Sequence, residues 1–295
     1  MRVGILTAVI AASVGAGLML APGVVLAHSG PTPGRGLYLA LGDSLAAGCN
    51  GSCPSTTKPI TGYRPTTGYA PIIARKKGWI LTDLGCPGET TASMGTGGLC
   101  TYAGYPSQLG AAEAFLSTNR RTVKLVSIDI GANDLAMCFL PVTGLTINTG
   151  CVAGATATAT ANLKTILTGL KRADPSARIV GMNYYDPVLA AWLETGGEPL
   201  AIESTFYAAA FTQALDTVYS KFGYPVASVQ SAFQLFDFFP FKSLPLYGPV
   251  PHNVYDICTL TYTCVPALVP DPHPNGGGYS VIAEAFANAL SGRHG

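Results

Sequence analysis

Charge is what this chain has least of. Only 11% of its 295 residues are Asp, Glu, Lys or Arg, and 17 basic side chains against 16 acidic ones leave a net charge of +1. A chain so balanced gives no electrostatic reason to expect nucleic acid or an anionic membrane surface as a partner. It has no block of like charge, no internal repeat and no linker that would divide it. Histidine is scarce too, at four, and His28 and His294 lie at the expected ends of the mature chain. No Cys-x-x-Cys occurs, so zinc has few ligands to choose from and no metal or cofactor is expected. Gly95-Thr96-Gly97-Gly98 runs into Leu99 and Cys100 without the lysine that a phosphate-cradling loop needs.

Long apolar runs are confined to the beginning. Met1-Arg2 is a short positive start, followed to Ala27 by apolar and small residues, with Val25 and Ala27 placed as a cleavage site requires. The reading is a signal peptide over 1–27 and a secreted mature domain over 28–295. The alternative is an uncleaved N-terminal anchor, since the run approaches the length of a spanning helix. In both cases the remainder lies outside the cytoplasm. All eight cysteines follow this segment, and an even number in an exported chain reads as disulfides. They fall into close couples with long gaps between, so Cys49 with Cys53, Cys86 with Cys100, Cys138 with Cys151, and Cys258 with Cys264 is the economical pairing.

Short apolar runs at Leu37–Leu41, Trp79–Leu81, Val123–Ile130 and Arg178–Met182 look like buried parallel strands. Helical stretches lie between and after them: Tyr69–Lys77, Pro106–Leu116, Ala155–Arg172, Ala201–Phe222 and a terminal helix over 278–291. Strands alternating with helices at this spacing predict an α/β fold, a three-layer open parallel sheet with helices on both faces. Two segments resist the scheme. Cys49–Gly68 is a long loop, and Phe233–Tyr255 mixes aromatic residues with prolines at 240, 245, 249 and 251, which exclude a regular helix or central strand.

Gly42-Asp43-Ser44-Leu45 stands directly after the first strand, where a tight turn would expose a serine at the carboxyl edge of the sheet. A serine hydroxyl needs a base to become a nucleophile. Gly85-Cys86-Pro87-Gly88-Glu89-Thr90 follows the second strand, Gly131-Ala132-Asn133-Asp134 follows the third, and Asp271-Pro272-His273-Pro274-Asn275 precedes the last helix. In this order the four blocks resemble the GDSL hydrolases, also called the SGNH family, over about Leu37 to Leu290. A flavodoxin-like sheet is the fold this implies. An α/β-hydrolase is set aside because Ala46 stands where Gly-x-Ser-x-Gly needs its last glycine, and the order of blocks is not that of a chymotrypsin-like protease.

The resemblance implies Ser44 as nucleophile, His273 as base, and an oxyanion hole made by the Ser44 N–H, the Gly88 N–H and the Asn133 side-chain amide. The family's usual aspartate, three residues before the histidine, is Pro270 here. Asp271, two before, or the Pro270 carbonyl would then orient the imidazole. His252 is the other internal candidate for the base. The expected activity is hydrolysis of carboxylic esters, acting on a small-molecule or lipid ester, as a monomer, with transient contact with a lipid surface. A carbohydrate O-deacetylase and a secreted binding protein without turnover are the competing readings. Phe233–Tyr247 suits either an apolar lid for an acyl chain or side chains that complete the core.

Overall fold

An unbroken apolar run that ends in glycine predicts a strand covered on both faces, and β1 (Leu37–Gly42) is buried at all six positions. The computed structural model describes residues 35–53, 66–136, 138, 146–265 and 271–292. The expected leader 1–27 and the boundary at His28 lie outside the described residues. After β1 come α1 (Tyr69–Lys77), β2 (Ile80–Asp83), α2 (Thr91–Thr96), α3 (Gln108–Thr118) and β3 (Val123–Asp129). Next are α4 (Ala132–Ala136), α5 (Thr149–Ala173), β4 (Ile179–Met182), a 3₁₀ helix (Pro187–Leu193) and α6 (Glu198–Lys221). The chain ends with β5 (Val226–Ala227), α7 (Val229–Ala232), β6 (Lys242–Leu244), β7 (Gly248–Val250), α8 (His252–Leu260), β8 (Thr261–Tyr262), β9 (Asp271–Pro274) and α9 (Gly276–Ser291).

The main sheet is parallel, in the order β2-β1-β3-β4-β5. From β1 the chain steps one way to β2 and the other way ever after. Right-handed crossovers therefore put α1 on one face and α3, α5 and α6 on the other. The packing agrees, with α5 against both α3 and α6, and α1 against α9. Tyr69 of α1 stacks on Phe286 of α9 with ring centres 4.7 Å apart. The three-layer arrangement expected from the sequence is the one found. The strand order reverses between β1 and β3, and the crevice beyond the carboxyl ends of such strands is where open sheets bind ligands.

Several boundaries differ from the expectation. Pro106 does not open α3: Ser107 is its N-cap, accepting a bond from the Gly110 N–H, and the helix starts at Gln108. Helix α5 begins at Thr149 rather than Ala155, because the Asn148 side chain caps it by accepting from the Cys151 N–H. Helix α6 runs over Glu198–Lys221 and α9 starts at Gly276, not 278. The proline-rich stretch is not structureless. It holds the antiparallel β6–β7 hairpin, and Pro251 is the N-cap of α8, outside the helix interior where its missing N–H would break a helical bond. Its large apolar residues divide: Phe233, Leu235 and Leu244 are core, whereas Phe236, Phe239, Phe241, Leu246 and Tyr247 are exposed.

The disulfides join Cys49–Cys53, Cys86–Cys100, Cys138–Cys151 and Cys258–Cys264, the couples read from the spacing. No helix among the described residues is long and apolar enough to cross a membrane.

Candidate active site

The turn at Gly42–Leu45 is shaped by contacts that leave it no freedom. Gly42 closes β1 at φ +139°, and a Cβ there would lie 2.0 Å from the Asp129 carbonyl oxygen, so only glycine fits. Its N–H donates to Gln108 Oε1 at 2.7 Å and its carbonyl accepts from Gln108 Nε2 at 2.9 Å. The Asp43 N–H donates to the Asp129 carbonyl at 3.1 Å and to Asp129 Oδ1 at 2.9 Å. The Leu45 N–H donates to Asp43 Oδ1 at 2.9 Å. Among the described residues, neither the N–H nor the hydroxyl of the half-buried Ser44 makes a hydrogen bond. The turn thus uses the donors on either side of Ser44 and spares its own.

The second block packs directly on the first. A Cβ on Gly85 would lie 2.4 Å from the Ala47 nitrogen, and the Cys86 N–H donates to the Gly42 carbonyl at 3.0 Å. Gly88 takes φ +81°, and its N–H makes no hydrogen bond among the described residues. The third block is laced to the second: Asn133 Nδ2 donates to the Glu89 carbonyl at 2.9 Å, and Asp134 accepts from the Thr91 N–H at 2.9 Å and its hydroxyl at 2.6 Å. One hydrogen of the Asn133 amide is thereby fixed, which leaves the other as a donor of set direction.

His273 lies on β9, a strand of the separate β8–β9 pair. Asp271 Oδ1 accepts from the His273 backbone N–H at 3.0 Å and sits 2.5 Å from His273 Nδ1. This carboxylate holds the ring in the tautomer whose Nε2 is free to take a proton. Pro270, the other sequence candidate for this role, lies outside the described residues. The Tyr185 hydroxyl donates to the Pro272 carbonyl at 2.5 Å and stacks on Phe233 with ring centres 4.6 Å apart, which ties the histidine strand to the end of β4. The His273 ring and the Cys49 and Cys53 sulfurs lie within 4.8 Å of one another, and the Cys49 N–H donates to the Ser44 carbonyl. Bonded as a disulfide, those sulfurs offer a metal no thiolate. His273 is therefore brought beside the Gly42–Leu45 turn, although no hydrogen bond joins Ser44 to His273 among the described residues. Such bonds often tighten only with substrate. His252 is engaged elsewhere: Nδ1 lies 2.8 Å from Asp237 Oδ2 and Nε2 lies 3.3 Å from Asp256 Oδ2.

Beneath these blocks is a set of buried acids. Burial pushes Asp43 up to about 7 and Asp83 up to about 8, and raises Asp129 and Glu89 as well. Glu89 Oε2 accepts from the Tyr102 hydroxyl and from Gln108 Nε2, each at 3.2 Å, so Gln108 links the first block to the second. Gln108, Asp129 and Tyr185 were not among the residues singled out from the sequence. Asp129 alone carried a signal, as an acidic residue at the end of a mostly apolar strand.

A parallel α/β sheet with these blocks gathered at its switch point has the architecture of an ester hydrolase. The chain belongs to the GDSL-like lipase/acylhydrolase family, whose model matches residues 40–281. Solved structures with the same fold include phospholipase A1 from Streptomyces albidoflavus NA297, at 18% identity and TM-score 0.51, covering 88% of this chain and 100% of that one. The extracellular lipase of Streptomyces rimosus is similar at 18% identity and TM-score 0.54, covering 86% and 100%. So is Axe2, an acetylxylan esterase from Geobacillus stearothermophilus, at 14% identity and TM-score 0.50, covering 86% and 94%. No curated protein matches the sequence.

Proposed function

We propose that the chain is a secreted, monomeric acyl-ester hydrolase in which Ser44 is the nucleophile, His273 its base and Asp271 the group that orients the base. The observation that carries the reading is the selective use of donors at the turn: the N–H groups of Gly42, Asp43 and Leu45 are bound, and that of Ser44 is not. Free donors at Ser44 and Gly88 and the spare hydrogen of Asn133 suit a negatively charged oxygen. Such donors, fixed before the reaction, are each worth on the order of 3 kcal/mol of barrier.

His273 Nε2 takes the Ser44 proton as Oγ bonds to the substrate carbonyl carbon, and the carbonyl oxygen becomes the oxyanion. The tetrahedral intermediate collapses by breaking the bond to the alcohol oxygen, which leaves with the proton from His273. Water then repeats the sequence on the acyl-serine and releases the acid. Asp271 balances the imidazolium charge throughout.

For the substrate, the exposed aromatic side chains support an acyl ester presented at a lipid surface. Trp192 of the 3₁₀ helix packs on Phe238 and Phe241, with ring centres 6.2 and 6.3 Å apart, and Phe239 is 73% and Leu246 89% exposed. Both segments follow carboxyl ends of strands, the edge that carries Ser44. Four disulfides suit an oxidising, extracellular location.

Ser44→Ala and His273→Ala are each expected to abolish ester hydrolysis while circular dichroism stays unchanged, and their losses should not add, because the two groups act as one unit. A fluorophosphonate probe should label the parent and not Ser44→Ala. Substantial turnover by folded Ser44→Ala overturns the reading. A panel of p-nitrophenyl esters of rising chain length, beside acetylated sugars, is expected to favour the longer acyl chains. Preference for the sugars would replace the acyl-ester substrate with a carbohydrate acetate.

A further inference from the structure

The nucleophile turn rests on two carboxyl groups that the reaction itself does not use. Asp43 and Asp129 are both fully buried, at 1% and 0% exposure, and lie side by side: the Asp43 N–H donates to both the carbonyl and Oδ1 of Asp129, and the two carboxyls act on each other's ionisation. Each also holds a piece of the turn: Asp43 Oδ1 takes the Leu45 N–H, and Asp129 Oδ1 takes the Asp43 N–H, both at 2.9 Å. The remaining oxygens are met by phenols. The Tyr69 hydroxyl donates to Asp129 Oδ2 at 2.6 Å, and that of Tyr184 donates to Asp43 Oδ2 at 3.4 Å.

Among the described residues, no cation compensates the pair. Asp83 at the end of β2 and Glu89 in the loop after it add further negative charge. Tyr38 of β1 and Tyr185 after β4 face the pair, as do Tyr219 of α6 and Tyr279 of α9. Among the described residues, the titratable groups acting on the pair are thus acids and phenols. Two carboxylates side by side, out of water and without a cation, cannot both be ionised at modest cost.

We propose that Asp43 and Asp129 hold one proton between them beneath the nucleophile turn, which makes Asp129 a positioning residue whose shared proton keeps Ser44 in working geometry. When that proton is lost, the two charges repel. Asp43 then releases the Leu45 N–H, or Asp129 the Asp43 N–H, and the spacing between Ser44 and its oxyanion donors goes with it. Activity should therefore have an alkaline limb that belongs to this pair and not to His273, whose deprotonated ring is the working form of the base. The inference rests on the reading of Ser44 as nucleophile.

An amide supplies permanently what the shared proton supplies conditionally: an oxygen that accepts and a nitrogen that donates. Asp129→Asn can still accept from the Asp43 N–H and donate to the Asp43 carboxylate. Asp43→Asn can still accept from the Leu45 N–H and donate to Asp129. The test is kcat on p-nitrophenyl acetate, corrected for spontaneous hydrolysis, from about pH 5 to 10, with fluorophosphonate labelling of each variant. The parent is expected to lose at least about tenfold in kcat on the alkaline side, and both amide variants should lose that limb alike. Asp129→Ala, with neither donor nor acceptor, should fall by more than about tenfold in kcat at every pH with KM little changed, and Asp129→Asn should recover most of it. A parent without an alkaline limb, or amide variants that keep it, overturns the shared proton. Full labelling of Ser44 in those same variants would show that the nucleophile assignment survives such a failure, whereas turnover by Ser44→Ala would sink the assignment independently.

Discussion

At the scale of single residues, the feature most open to test is the short link between Asp271 and His273. One carboxylate oxygen accepts from both the backbone and the ring of the same histidine, so the acid and the base it serves are a local unit two residues apart. Asp271→Asn removes the charge that balances the imidazolium, and its amide nitrogen, turned toward Nδ1, favours the tautomer that protonates Nε2 and gives up the backbone bond. The expected cost in kcat approaches a factor of roughly 10,000, the size known for a triad aspartate. A fall of less than about tenfold in a folded variant would move the orienting role to a backbone carbonyl. His273 and Asp271 were singled out because their block stands before the last helix, fourth in the order of blocks that resembles the family. Gln108 was not legible. Its amide matters only because Gly42, 66 residues earlier, comes to meet it, and no local pattern in the sequence announces a partner at that distance.

Among the elements, four of the five strands of the main sheet and the helices α1, α3, α5, α6 and α9 followed from apolar runs and helical spacing, because burial on both faces of the sheet writes itself into hydrophobicity. The two-residue β5 and helix α8 did not. Nor did the other short ones. Helix α2 owes its existence to a capping box between Thr90 and Ser93, and α4 to ties between Asp134 and Thr91. These are local or tertiary polar contacts that periodicity cannot register. The strand that carries His273 is another such element. It pairs only with the two residues of β8, outside the main sheet, and is held by the Tyr185 hydroxyl and by α9 behind it. An element with so few partners opens at lower cost than the core. On heating, ester hydrolysis should therefore disappear several degrees below the loss of far-ultraviolet circular dichroism. Coincident midpoints would mean that β8–β9 unfolds with the sheet.

For the whole molecule, the buried acids make stability depend on pH. Asp83 is fully buried; its Oδ1 accepts from the Gly85 N–H at 2.8 Å and its Oδ2 has no partner among the described residues. Burial lifts it to about 8, lifts Asp43 to about 7 and Asp186 to about 6. A carboxyl raised in the folded state contributes stability that is fully present below its unfolded value of about 4 and is lost as pH climbs through the folded one. The fold should therefore weaken from about pH 5 to 9. Asp83→Asn removes one of these groups, so its melting temperature should match or fall slightly below the parent at about pH 5 and exceed it by several degrees at about pH 9, at roughly 2–4 °C per kcal/mol. Parallel curves would show that Asp83 does not take part. The same acids alter how the molecule behaves in an electric field. Composition alone places the isoelectric point near 7.5 by counting every aspartate as ionised. The folded chain carries fewer negative charges than that near neutrality, because its interior keeps protons that water would remove. The native protein is accordingly more basic than its sequence, and unfolding it near neutral pH releases those protons and moves its isoelectric point downward.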